Sequence, residues 1–318
     1  MAVLDVSAKV IDRATAARFG LSVSQFHAAN VERLSRFPLG LLATHTHDAK
    51  RSGDVRARVA ALAGLGDEWV AVVREWFSVN APLRAGGAPD PIEEYLVYQN
   101  LVGAWPIEAE RLEGFVEKAL REAKRNSNWA SPDEGYEGRV KAFCRGLYSH
   151  APFRESFDAF AARVATAGER VSLGQVLLKL TAPGLPDIYQ GDEIVSLALV
   201  DPDNRRPVDW ERRRELLDTL RGGGSLPDDA DTRKLRLTVA ALDLRRRRAD
   251  AFAGAYEPID AGEDAVAYVR GGEVLVVVDL RGSGAVIELP PGSWRDVVNG
   301  GGERVAGRIA VSDLVGPL

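Results

Sequence analysis

The segment Leu39-Gly40-Leu41-Leu42-Ala43-Thr44-His45-Thr46-His47-Asp48-Ala49-Lys50-Arg51 starts apolar and ends crowded with ionisable groups. Its first half follows Pro38 and reads as a short buried β-strand, because an apolar run of this length between polar or turn residues suits a strand better than a helix. Its second half places two histidines, a carboxylate, a lysine and an arginine directly after that strand. In parallel β/α architectures the functional groups gather at the C-terminal ends of strands. The segment therefore predicts one strand of a parallel β/α layer with a candidate site at its end. Three readings of the residues stay open. His45, His47 and Asp48 could bind a metal, although no third histidine or cysteine is nearby. The loop could be merely polar, with a satisfied histidine. Or it could be a sugar-processing site, with His47 donating to hydroxyls and Asp48 stabilising an oxocarbenium-like transition state.

On either side the pattern is helical. Ser22 and Gln25 form a capping box that predicts a helix over 22–36. From Val55 to Phe77 apolar residues recur near a 3.6-residue period, with Gly64 and Gly66 as a break, so Trp69, Trp76 and Phe77 are assigned to the core. Residues 79–89 read as a loop. Asp90-Pro91-Ile92-Glu93 gives an N-cap, a proline at the first helical position and an acid at the third. Ser131-Pro132-Asp133-Glu134 and Ser172-Leu173-Gly174-Gln175 look like the same device and predict helix starts at Ser131 and Ser172. Glu108–Lys124 and Glu134–His150 are the strongest amphipathic stretches. Helices are also expected after Trp210 and over 232–249, the latter ending in Arg245–Arg248, which reads as a solvated face. From 251 the chain turns to β, with Val266–Val269, Val274–Leu280 and Val286–Leu289 as strands of a small antiparallel domain.

Composition limits the function. The 318 residues are 46% hydrophobic and 27% charged, which suits about two soluble domains and excludes global disorder. No apolar run is long enough to span a membrane, and residues 1–10 lack a secretory pattern. A net charge of −5 argues against nucleic acid as the main partner. A single cysteine, Cys144, excludes an intramolecular disulfide and is expected to be a buried small hydrophobe. A cytoplasmic protein is the expectation.

Three further segments are candidates for chemistry. Gly184–Glu193 contains Tyr189 in a strand-and-turn context, whose plain reading is punctuation. Val200-Asp201-Pro202-Asp203-Asn204-Arg205-Arg206-Pro207-Val208-Asp209-Trp210 suits hydroxyl recognition, and equally a salt-bridged surface loop. Lys124–Glu137 holds Trp129 among amides, either a platform for pyranose C–H faces or a loop anchor.

Taken in order, these segments resemble the α-amylase superfamily of glycoside hydrolases and transglycosidases, and within it the malto-oligosyltrehalose synthases. The likeness also runs through Arg18–Ser22, Phe26–Asn30, Lys50–Arg58, Asp90–Gln99, Gly103–Pro106 and Leu199–Asp209. Ala49 and Gly53 depart from it, since the family usually has threonine and an acid there, and residues 1–17 do not look like family sequence. The resemblance implies the C-terminal part of a (β/α)₈ barrel with a large helical insertion, followed by a small antiparallel β domain. The expected division is a barrel segment over 1–54, the insertion over 55–170, the last strand with its loop and helices over 171–250, and the β domain over 251–318. It implies that Asp48 is the transition-state-stabilising carboxylate and that His47 holds a substrate hydroxyl. His45, Lys50, Arg51, Trp129, Tyr189, Asp201, Asp203, Asn204, Arg205 and Arg206 are expected to bind substrate. No metal or organic cofactor is implied.

A retaining mechanism needs a nucleophile and an acid/base about 5–5.5 Å apart. In the family both lie upstream of the His-Asp pair, and Asp5, Asp12 and Glu32 do not stand in that context. Malto-oligosaccharide is the expected substrate and the N-terminal half of a synthase the expected partner. The alternatives are a non-catalytic glucan-binding or assembly module, or another activity of the superfamily.

Overall fold

The computed structural model describes residues 20–279, 284–298 and 303–314. The reading of residues 1–17, and Leu280 at the end of a predicted strand, lie outside them. In chain order the elements are α1 (Val23–Arg36), β1 (Leu41–Leu42), α2 (Gly53–Ala61), α3 (Gly66–Val79), α4 (Pro91–Ala104), α5 (Ala109–Ala123), α6 (Glu134–Leu147), α7 (Ala151–Thr181) and β2 (Leu185–Pro186). After these come α8 (Trp210–Arg221), α9 (Ala230–Arg247), α10 (Ala249–Ala253), β3 (Tyr256–Ile259), β4 (Ala265–Arg270), β5 (Val274–Asp279), β6 (Val286–Arg295) and β7 (Glu303–Ala310).

The chain forms two compact units. A helical unit comprises residues 47–169 and 196–207, and a mixed unit comprises the described residues up to 46 together with 170–195 and 208–314.

The helical unit packs around Trp69, Trp76, Tyr98, Phe143, Phe153 and Phe157. Trp76 is fully buried and its indole N–H donates to Ser156 Oγ at 2.7 Å, which satisfies the one polar atom that burial would strand. Phe77 is partly buried against the same core. The expected break at Gly64 and Gly66 is a short 3₁₀ segment between α2 and α3. Asp90 caps α4 with Glu93 reaching back, as the sequence predicts. At Gly103 a Cβ would lie 2.9 Å from Val59 Cγ2, so α2 and α4 approach closely only because a glycine stands there. Cys144 is fully buried, and burial pushes its thiol pKa up.

Two predicted helix starts differ from the structure. The cap of α6 is Asp133, whose side chain accepts from Tyr136 N, rather than Ser131. Ser172 lies inside the 31-residue α7, where continuous tertiary burial overrides a local capping pattern.

In the mixed unit, β1 and β2 pair in parallel, Leu41 beside Leu185 and Leu42 beside Pro186. Leu185 N donates to Gly40 O at 2.9 Å and Asp187 N to Leu42 O at 2.8 Å. Gly184 enters β2 at φ +128°, and a Cβ there would lie 2.7 Å from Gly40 O, so this pairing requires glycine. The expected burial of the first strand is not met. Leu39 is 73% and Leu41 77% exposed, because a pair of two-residue strands offers each side chain only one neighbour.

The remaining strands are antiparallel, in the orders β3-β4-β5 and β6-β7. Every residue of β4 is buried. Val266 and Tyr268 face a cluster shared with Val23, Phe26 and Leu244 from α1 and α9. Ala265 and Ala267 face a second cluster with Ile287 and Leu289. This two-residue alternation gives one strand two cores. His27 Nδ1 meets the Tyr256 hydroxyl at 2.7 Å and ties α1 to β3.

Arg270, at the end of β4, is fully buried. Its guanidinium donates to Thr181 O at 3.0 Å, where α7 ends, and to Phe252 O near the end of α10. Helix C-termini present unpaired carbonyls and a partial negative charge, so these ends serve as its counter-charge. Arg245 behaves likewise. It donates to Leu180 O at 3.1 Å and to Gly184 O, which corrects the expectation of a wholly solvated arginine run. Arg270→Ala is expected to destabilise the chain by about 3 kcal/mol, the scale for stranding several buried acceptors. A urea unfolding midpoint unchanged by that substitution would discard the assignment.

Candidate active site

In the helical unit the loop 47–51 is held by segment 196–207. Ser52 caps α2; its N–H donates to Ala198 O at 2.8 Å and its hydroxyl to Ser196 O at 2.5 Å. Asp54, 4% exposed, accepts from Ser196 N at 2.7 Å. Arg51 and Leu199 form an antiparallel bridge. Asp203 then fixes the second half of the segment. Its carboxylate accepts from Arg111 Nε at 2.7 Å and Nη2 at 2.9 Å, and from Leu199 N at 2.7 Å. Burial alone would raise the Asp203 pKa, but the Arg111 bonds and the Leu199 N–H hold it below the usual carboxylate range. Asn204 Nδ2 donates to His47 O at 2.8 Å.

From this frame project the exposed side chains of His47, Asp48, Asp201, Arg205 and Arg206. The Asp48 side chain is 81% exposed, with Oδ2 3.7 Å from His47 Nε2. Asp201 pairs with Arg205 at 2.5 Å. Lys50 pairs with Glu122 at 3.1 Å, and Lys118 Nζ donates to Asp201 O at 2.7 Å. Trp129 stands on the loop before α6, with the Arg121 guanidinium 5.1 Å from its ring centroid.

The mixed unit carries the other predicted residues. His45 is 3% exposed. Its Nδ1 meets both oxygens of Asp192 at 3.1 and 3.2 Å, and its ring lies 4.4 Å from that of Tyr189. Burial alone would raise the Asp192 pKa, but the His45 bond and the charges of Lys234 and Lys179 bring it below the ordinary value. Lys179 Nζ donates to Thr44 Oγ1 at 3.2 Å and Lys234 Nζ to Ile194 O at 3.0 Å. Glu193 is engaged by Arg213 at 3.1 Å. Among the described residues no group of three acidic, histidine or cysteine side chains is arranged to hold a metal ion.

The structure thus separates two kinds of predicted residue. His47, Asp48, Lys50, Asp201, Arg205 and Arg206 reach solvent from one framed surface. His45, Arg51, Asp203 and Asn204, also expected to touch substrate, have protein partners: His45 meets Asp192 within the mixed unit, and in the helical unit Arg51 donates to Asn100 Oδ1 at 2.9 Å, Asp203 accepts from Arg111 and Asn204 donates to His47 O. Asp192, Arg111 and Asp54 were not foreseen. Arg111 acts 92 residues away from Asp203, and an arginine on an amphipathic helix carries no local signal of such a partner.

No family model matches the chain. It is 35% identical over 303 residues to a protein described as "Putative maltooligosyl trehalose synthase" from Mycobacterium tuberculosis, covering 89% of this chain and 37% of that protein. The structure of maltooligosyltrehalose synthase from Arthrobacter ramosus superposes with a TM-score of 0.84 at 34% identity, over 93% of this chain and 40% of that one. A Sulfolobus tokodaii protein titled a hypothetical maltooligosyl trehalose synthase gives 0.79 at 32%, over 94% and 41%. The chain resembles the C-terminal half of malto-oligosyltrehalose synthase. It spans well under half the length of the synthases it matches. Among the described residues no helix is long and apolar enough to cross a membrane.

The Asp192 pair gives a pH prediction. A carboxylate whose folded pKa is depressed adds stability above its unfolded pKa, near about 4, and loses it as pH falls through the folded value. Asp192→Asn is expected to cost about 2 kcal/mol at neutral pH, with the difference shrinking as the medium is acidified below about pH 4. Urea titrations of both proteins across that range provide the check. A deficit of constant size at every pH would remove the carboxylate from the account.

Proposed function

We propose that this chain is the C-terminal portion of an intramolecular transglycosylase that converts the reducing-end α-1,4 bond of a malto-oligosaccharide into an α,α-1,1 bond. In this reading β1 and β2 are the last two strands of a (β/α)₈ barrel, and residues 55–170 are an insertion between them. The observation that carries the reading is the solvent-facing Asp48 carboxylate. It follows the first of two parallel strands and is seated on a frame built by Asp203, Arg111 and Asn204, in a chain 34% identical to a synthase of known structure.

The nucleophile breaks the C1–O bond of the last glycosidic linkage while the acid gives its proton to the departing glucose oxygen. Asp48 stabilises positive charge developing at the anomeric carbon, and His47 holds a neighbouring hydroxyl. The freed glucose turns over in place. Its anomeric hydroxyl then attacks the glycosyl-enzyme, giving up its proton to the same acid/base group, and no water is consumed. Lys50, Asp201, Arg205 and Arg206 hold sugar hydroxyls and keep the free glucose from leaving. The nucleophile and the acid/base come from the portion of a synthase that precedes this one.

The test incubates the chain with maltopentaose, alone and with the complementary portion of a malto-oligosyltrehalose synthase, and assays a non-reducing product. Product is expected only from the mixture. Asp48→Asn is expected to lower its rate by about 10³-fold or more, with glucan binding retained, as for a group acting chiefly in the transition state. Formation of product by the isolated chain, or full turnover in the Asp48→Asn mixture, would overturn the proposal.

A further inference from the structure

Every residue of β5 lines one groove of about 1600 Å³ within the mixed unit. Successive strand residues point to opposite faces, so a groove touched by all of them runs along an edge of β5. The register fixes which backbone groups that edge carries. Gly271 N donates to Ala255 O at 2.9 Å, one step beyond the β3–β4 pairing. Bonded and non-bonded pairs alternate along an antiparallel ladder, so Val269 and Ala267 bond to β3. Pro258, which has no N–H to give, stands at a non-bonded position opposite Tyr268. Tyr268, with Val266 and Arg270, therefore bonds to β5 through Val276, Val278 and Val274. The N–H and C=O groups of Leu275 and Val277 point the other way, into the groove. These are the two residues of β5 that are only partly buried. Among the described residues no strand pairs with this edge.

The facing wall is apolar, with Leu173 and Leu177 from α7 and Leu237 and Leu244 from α9. Arginines stand about it. Arg233 pairs with Asp228 and Arg248 with Glu273. Arg170, Arg236, Arg247 and Arg295 also line the groove, and among the described residues no carboxylate pairs with any of the four.

An open strand edge is a template for another strand. The groove is larger than the roughly 300–1,000 Å³ that small ligands occupy, and the six residues of β5 extend about 20 Å. Charge selects among the strands that could enter. A second copy of the chain would set its own four arginines against these, and like charges brought together oppose association. Residues 1–19 carry Asp5 and Asp12 against Lys9, Arg13 and Arg18, and residues 280–283 carry one arginine and no acid, so neither segment is acidic. We infer that the groove receives an extended acidic segment of a partner polypeptide, which adds to β5 as a further strand by bonding to Leu275 and Val277. Its apolar side chains would meet Leu177 and Leu244, and its carboxylates the four arginines. The inference does not rest on the reaction proposed above.

A fluorophore-labelled peptide of four Glu-Val repeats is titrated into the chain by anisotropy. Beside it are run the same peptide with every backbone N–H methylated and a peptide of four Lys-Val repeats. Amide hydrogen exchange of the chain is followed by NMR with and without the first peptide. The Glu-Val peptide is expected to bind, more weakly as salt is raised. Methylation is expected to cost about tenfold or more in affinity, since it removes the donors to β5 and keeps the charges. The Lys-Val peptide is expected not to bind. Exchange at Leu275 and Val277 is expected to slow about tenfold or more, with Val274, Val276 and Val278, already bonded to β4, unchanged. Arg236→Ala and Arg247→Ala are each expected to weaken binding about threefold, the scale of one exposed ion pair. The inference is overturned if the Glu-Val peptide does not bind at millimolar concentration, or if either comparison peptide binds as tightly. Exchange at Leu275 and Val277 left unslowed on binding overturns it too. Should an arginine variant fail to fold, the methylated peptide and the exchange of the unaltered chain still decide.

Discussion

Asp203 is the residue on which the candidate site depends. Segment 196–207 holds no α-helix and no ladder of any length, so chain entropy works against its order. One carboxylate offsets that by taking two bonds from Arg111 and one from Leu199 N. Charge-assisted, bidentate pairing fixes direction as well as distance, and three bonds to one group leave the segment a single course past 51–54. The positions of His47 and Asp201 follow from that course. Asn204 holds the first through its carbonyl, and Lys118 holds the second in the same way. Of the two readings the segment's composition allows, hydroxyl recognition and a salt-bridged loop, the bonds Asp203 makes here are those of the second.

The sequence spoke most clearly where structure is local. The caps at Ser22 and Asp90, the glycine break after α2 and the period of the Trp69–Trp76 stripe all depend on residues within a few positions of one another, and they stand as read. It misled where a local pattern met a longer-range constraint. Ser172 has the spacing of a cap, yet it is buried within a helix that packs along its length. At the start of α6 the cap is Asp133, two residues beyond the Ser131 that the pattern marks, and it accepts from Tyr136 N. For the site, the loop after β1 was legible as a cluster of ionisable residues. Which of its groups are held by protein partners was not, since Asp192 for His45, Asn100 for Arg51, Arg111 for Asp203 and His47 for Asn204 lie between 49 and 157 residues away.

The parallel pair β1 and β2 poses a separate physical question. Parallel strands are ordinarily buried on both faces, because their crossovers carry helices to cover them. Here Leu39 and Leu41 stand largely in solvent beside a partly exposed Leu185. Leucines at strand positions gain nothing from water, and two-residue strands are too short to be stable alone. Among the described residues no further strand pairs with β1 or β2.

The same reasoning bears on Asp48. A carboxylate this open to water interacts with a charge a few ångströms away at close to the bulk dielectric, where a contact at about 4 Å is worth only about 1 kcal/mol. Stabilising an oxocarbenium-like centre to a catalytic degree requires the low-dielectric, water-excluded surroundings in which fixed charges act strongly. The side chain can be aimed by the frame beneath it, but its strength must come from whatever covers it. If the rest of a synthase supplies the nucleophile and the acid/base, its docking also removes the water that mutes Asp48. Completing the carboxylate set and making the carboxylate already present effective are then one event.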